Sequence, residues 1–353
     1  MKGGHRRPPR VSRRTVLGLG AAAAASVTAV GLQQLRSGAS EGESGAQWAQ
    51  PTTETGASVA PAPAKPVSTK PMDGGPVPGK PGKAMLGSYL SLKDKSYKES
   101  LALRKQQLGR DEKIAHVFYA WGDTLPSRIL NMPKKAVPLV SWRGTNYDDI
   151  LDGSSDDIIR RAAWRLKQFD KPVFLRWGWE MNGNWFPWSG PKNKDDPEGY
   201  IATWKYLRKV FKKEGADNVA WVWSINWNSS PAAGWNRFQA YYPGDDHVDW
   251  VGISGYNLNN ETPETLYEAL YQEYAGRKPM MITEVGSVDN GGTTKGDWIT
   301  QFAQYVEQRP NICGVVWFDT DTHESYHEVW KIDTDPHALA AYKAMAKSAR
   351  FWG

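Results

Sequence analysis

The sequence predicts an α/β fold of the (β/α)8 TIM-barrel class, and three observations lead there. Eight short apolar runs follow one another along the chain, each succeeded by a polar loop and a segment that can be helical, which is the signature of parallel βα units. Setting aside the first eighty or so of the 353 residues leaves a stretch of the usual size for such a barrel. The alternative, a doubly wound sheet, usually has fewer strands and, where it binds nucleotides, a glycine-rich first turn that is absent here.

In chain order, the first element is residues 1–36. A basic start (Lys2, Arg6, Arg7, Arg10, Arg13, Arg14) precedes an alanine-rich apolar stretch from Val16 to Gly31. Ser12-Arg13-Arg14-Thr15-Val16-Leu17 resembles the twin-arginine export signal of bacteria. Ser37-Gly38-Ala39 offers small residues for cleavage, while the apolar stretch is near the length of an uncleaved membrane anchor. Residues 37–83 are dominated by Gly, Ala, Pro, Ser and Thr and read as a semi-extended linker with too little apolar surface to build a core. The remaining domain is 84–353.

The apolar runs are Ala84 to Leu90, Ala115 to Gly122, Ala136 to Trp142, Pro172 to Trp177, Val219 to Ile225, Val248 to Gly255, Pro279 to Thr283, and Ile312 to Phe318. Between them, Asp156 to Phe169 carries Ile158, Ile159, Ala162, Ala163 and Leu166 at helical spacing, and Pro197 to Glu214 carries Ile201, Trp204, Leu207, Val210 and Phe211. The formal charge of +6 comes from the N-terminal segments: residues 84–353 hold 33 basic against 34 acidic side chains, which argues against a nucleic-acid surface. Cys313, the single cysteine, lies in an apolar run and reads as a packing residue, so neither an internal disulfide nor a cysteine metal site is expected.

In a barrel of this class the reactive groups stand at the C-terminal ends of the strands. Two carboxylates lie there, Glu180 after the fourth run and Glu284 after the seventh, each embedded in apolar and aromatic sequence. A glutamate in such surroundings is either paired or used. Two of them across a barrel mouth fit glycoside hydrolysis, with one protonating the leaving oxygen and the other facing the anomeric carbon. Their repulsion would keep one protonated.

The segment Arg176-Trp177-Gly178-Trp179-Glu180-Met181-Asn182-Gly183-Asn184-Trp185-Phe186-Pro187-Trp188 resembles the acid/base motif of glycoside hydrolase family 26, a clan A family best known for β-mannanases. Further matches follow in order: Val222 to Asn226, Tyr241 to Asp245 leading to Val251 to Tyr256, and Lys278 to Gly286. The resemblance covers roughly residues 84 to 350. It implies Glu180 as acid/base, Glu284 as nucleophile, Tyr256 as the hydrogen-bond donor to the nucleophile, and Arg176 as support for the charged groups. Trp179 departs from the histidine that usually precedes the acid/base, and bears on which sugar is read, since indole has one N–H donor and no acceptor.

Trp121, Trp142, Trp185, Trp188, Trp227 and Trp317 fall at or after strand ends and suggest a cleft lined for stacking on pyranose rings, although each alone suits a core equally well. The resemblance casts Trp317 as the platform beneath the cleaved sugar and Trp185 and Trp188 as the leaving-group side. Asn226 is counted among the substrate-binding residues, and Asp319 and Asp321 as nearby candidates. The expected activity is retaining, internal cleavage of a β-1,4-linked polysaccharide, with β-mannan leading and mixed-linkage glucan, xylan or an exopolysaccharide as alternatives, by a secreted or surface-held monomer without cofactor. A non-catalytic carbohydrate-binding barrel is the competing class. His323-Glu324-Ser325-Tyr326-His327 matches the H-E-x-x-H zinc pattern but follows the eighth run in an Asp- and Thr-rich loop instead of an apolar helix, so no metal is expected.

Overall fold

The computed structural model describes residues 76–80, 82–169, 171–321 and 329–353. The export-like segment, most of the linker and the H-E-x-x-H stretch lie outside the described residues. Among the described residues no helix is long and apolar enough to cross a membrane.

Eight parallel strands close in sequence order into a barrel. They are β1 Met85–Ser91, β2 Ile114–Tyr119, β3 Val137–Trp142, β4 Val173–Trp177, β5 Val219–Asn226, β6 Trp250–Asn257, β7 Met280–Ser287 and β8 Ile312–Thr320. Closure is made by β1 against β8 over seven paired positions, from Met85 opposite Gly314 to Ser91 opposite Thr320. The sheet can approach closely at β1 because Gly87 has no side chain: a Cβ there would stand 2.4 Å from that of Ile114.

The outer ring comprises α1 Tyr97–Leu108, the single turn α2 Asp148–Leu151, α3 Asp156–Lys167, α4 Pro197–Lys213, α5 Pro263–Tyr274, α6 Thr294–Glu307 and α7 Pro336–Lys347. Their starts are written in the sequence. Ser96 and Glu99 form a reciprocal cap on α1, and Asp196, Thr262 and Asp335 cap α4, α5 and α7 just before a proline at the first helical position. The expected helix after the second strand is missing. Residues 120–136 form an irregular connection instead, interrupted by Pro126 and Pro133 and by Asn131 at φ 65°. The prolines withdraw backbone donors and push their predecessors out of helical conformation.

The barrel interior is layered. Met85, Ile114, Leu139, Phe174, Val222, Trp250 and Met281 fill the floor as one apolar cluster. Above it lies a polar layer of His116, Ser141, Arg176, Ser224 and Thr283, all buried. Cys313 sits with the floor cluster, where burial pushes its thiol up to about 11.

Candidate active site

Arg176 is the penultimate residue of β4 and wholly buried. Beyond it the chain turns through two left-handed residues, Gly178 at φ 51° and Glu180 at φ 56°. A non-glycine residue in that region costs about 1–2 kcal/mol, and such strain clusters where a side chain must be aimed. The turn is fixed from both sides: the Gly178 N–H donates to Trp142 O at 3.1 Å and the Glu180 N–H to Ser224 O at 2.9 Å. Asn182 then anchors the loop to the end of β5, donating to Asn226 O and accepting from the Asn226 N–H, both at 2.9 Å.

Glu284 reaches the same space through an irregularity in β7. Ile253 pairs with Ile282 but Ser254 with Glu284, so Thr283 is an extra residue in the ladder. Ordinary alternation would send neighbouring side chains to opposite faces, and a bulge re-aims them. Thr283 meets the Ser224 hydroxyl at 2.8 Å and donates to Ile253 O at 3.0 Å, while Glu284, with no exposed surface, turns toward Arg176.

One guanidinium then serves both carboxylates. Arg176 donates to Glu284 Oε1 through Nη1, and its Nη2 lies 3.8 Å from Glu180 Oε1. The other Glu284 oxygen accepts from the Tyr256 hydroxyl, so both are engaged by donors, the arrangement a buried carboxylate anion requires. Glu180 receives less: the Trp185 indole N–H at 3.0 Å and a contact with the Ser254 hydroxyl. Burial, reinforced by the Glu284 charge and only partly offset by Arg176, pushes Glu180 up to about 7. The two glutamates thus differ in their surroundings: Glu284 is held at both oxygens by close donors, and Glu180 by a weaker set.

Arg176 is itself held from below, by Ser254 Oγ at 2.6 Å and Ser141 Oγ at 3.3 Å. A guanidinium only donates, so the Ser141 hydroxyl accepts from Arg176, and the same hydroxyl is hydrogen-bonded to His116 Nε2, 2.7 Å away. Burial and the Arg176 charge hold His116 well below the usual histidine range, and it stays neutral.

Comparison with known families agrees with this geometry. The family model for glycosyl hydrolase family 26 matches residues 120–346. The chain belongs to glycosyl hydrolase family 26. It is 30% identical over 253 residues to endoglucanase H of Acetivibrio thermocellus, covering 67% of this chain and 27% of that protein. It is 28% identical over 189 residues to a mannan endo-1,4-beta-mannosidase of Bacillus subtilis, covering 48% and 49%. The chain thus spans about a quarter to a half of the length of these curated relatives. A GH26 beta-mannanase from Bacteroides ovatus shares the fold, with a TM-score of 0.56 at 16% identity over 76% of this chain and 90% of that one.

Within this family 26 barrel, the structure gathers Arg176, Glu180, Glu284, Tyr256 and Trp185 at one point. Several other residues expected to bind substrate stand elsewhere. Trp317 has no exposed surface and points outward, its ring 5.5 Å from Tyr342 of α7 and its N–H on Trp330 O, so it does not line the mouth. Its neighbour Phe318 takes the inward place, 5.9 Å from the Tyr256 ring. Trp142 likewise faces out, stacked on Trp121 at 4.4 Å. Trp188 is buried behind the acid loop, stacked on Phe186 at 4.3 Å and bonded to Trp179 O. Trp179 is 1% exposed and lies under the Arg176 guanidinium, 5.0 Å from its ring centre. Asn226 is buried and spends its amide on Asn228. Trp227 is half-buried against the core. Asp319 is ion-paired to Arg104 and caps the Ile332 N–H, and Asp321 accepts from the Lys93 N–H at 2.7 Å. Sequence reasoning passed over Ser141, His116 and Ser254, which lack the aromatic and acidic signals that single out a sugar site. Alternation within β2, β3 and β6 is the signal that points to them.

Proposed function

We propose that this protein is a retaining endo-acting β-1,4-glycan hydrolase in which Glu180 is the general acid/base and Glu284 the nucleophile. The observation that carries the reading is the divergence of two carboxylates against one guanidinium: Glu180 pushed up to about 7, Glu284 gripped by Arg176 and Tyr256. Protonated Glu180 donates to the glycosidic oxygen as Glu284 attacks the anomeric carbon. Once the leaving sugar departs, Glu180 takes a proton from water, which displaces Glu284 and returns the anomeric configuration. A shared guanidinium favours the short carboxylate spacing of retaining enzymes, about 5–5.5 Å. The family relatives named for internal cleavage of glucan and mannan support endo action, with β-mannan as the first substrate to test and β-glucan or xylan as alternatives. The protein acts as an exported monomer, directed by the twin-arginine-like residues 12–17 and carried on the linker 37–83, and held at a membrane only where the leader is uncleaved.

The test is reducing-sugar release from mannans, mixed-linkage β-glucan and xylans by the full chain and by Glu180→Ala and Glu284→Ala. Activity on one polymer, abolished in both variants and giving the retained anomer first by NMR, is the expected result. Intact polysaccharide binding without hydrolysis across the panel would instead make it a carbohydrate-binding barrel. Lysine at Arg13 and Arg14 should block export.

A further inference from the structure

Behind the Tyr256–Glu284 pair, on the outer side of the barrel wall, lies a second cavity of about 310 Å³ between the connections that follow β6 and β7. Alternation along β6 places it there: Tyr256 turns inward to Glu284, and the next residue, Asn257, turns outward to line the cavity. Asn257 is 5% exposed and donates through Nδ2 to Ser287 Oγ at 2.9 Å, but its carbonyl oxygen is buried without a hydrogen-bond partner among the described residues. A buried acceptor left unpaired costs about 1–3 kcal/mol, which a bound donor recovers. Three more carboxamides line the same cavity, Asn260, Asn290 and Gln301, all exposed and without a side-chain bond among the described residues. The two carboxylates on its wall are already engaged. Glu261 accepts from the Leu258 and Asn259 N–H groups, and Asp297 from Thr293 and His337. Among the described residues no lysine or arginine lines it.

We propose that this cavity is an accessory binding site for one or two neutral sugar units of the polysaccharide, separate from the reacting cleft. Carboxamides both donate and accept, which matches the dual character of sugar hydroxyls and suits neither an anion nor an apolar ligand. The volume is at the small end of ligand pockets, the size for a branch or a chain-end unit. The choice of a sugar as occupant rests on the glycan-hydrolase reading, and the experiment separates the two.

Affinity electrophoresis of the full chain in gels containing galactomannan, glucomannan or mixed-linkage β-glucan is run for Glu284→Ala alone and combined with Asn290→Ala and Gln301→Ala, both exposed changes that leave the fold intact. Loss of two hydrogen bonds should weaken retardation about fivefold to tenfold. In the active background, the same pair of changes should leave the rate on a short soluble oligosaccharide unaltered. Equal retardation with and without the pair, or no retardation of Glu284→Ala in any gel, overturns the accessory site. Absence of hydrolysis by the wild type with differential retardation retained overturns the catalytic reading alone.

Discussion

At Glu180 the chemistry and the stability of the protein pull against each other. Its folded value of about 7 lies above the ordinary glutamate value of 4.5, so between those pH values the folded chain holds a proton that the unfolded chain has released. Stability from this group is complete below 4.5 and declines as pH rises through about 7. Glu180→Gln removes that decline. At pH 8 it should unfold less readily than the wild type by on the order of 2 kcal/mol, with a gap that closes by pH 4 in urea titrations. Hydrolysis by the wild type should fall as pH rises through about 7, because the acid form is lost. Tyr256→Phe keeps the ring but removes the donor to Glu284. With about 2 kcal/mol of anion stabilisation gone, kcat on the preferred polymer should drop about thirtyfold.

The elements that aim these side chains are less regular than the barrel they belong to. Asn182 holds the acid loop against β5 from both sides, and its carbonyl accepts from Asn236 Nδ2 at 2.9 Å. Asn182→Ala should lower kcat at least about tenfold through misplacement of Glu180, with the folded structure retained by circular dichroism. The eight strands and two catalytic candidates were legible in the sequence because apolar runs and glutamates among aromatics are strong local signals. What was not legible is side-chain direction. Trp317 and Phe318 are adjacent and both apolar, and only the sheet register decides that the phenylalanine faces the axis. Thr283 and Glu284 meet the same difficulty in reverse, since a one-residue bulge brings both inward. The missing helix before β3 has a local signal in Pro126 and Pro133, which the alternation of apolar runs does not register.

Over the whole molecule, the two ends of the domain meet beneath the barrel. The Ala84 N–H donates to Arg350 O at 2.7 Å, the Gly353 N–H to Ala84 O at 3.2 Å, and Phe351 is fully buried. The Arg350 guanidinium caps Ile312 O at 2.5 Å and Arg309 O at 2.9 Å. Ending the chain after Lys347 strips all of these. Adding the burial of one phenylalanine to four hydrogen bonds gives a loss of about 6 kcal/mol, which calorimetry should register as a fall in Tm of about 15 °C. Ahead of Ala84, Val77 packs against the apolar floor, and a Cβ on Gly79 would stand 3.5 Å from the Met85 methyl and 3.9 Å from the Trp250 ring. The polypeptide that leads into the barrel therefore enters at the pole opposite the carboxylates. A body joined ahead of Val77 would sit on the floor side of the barrel and leave the mouth clear.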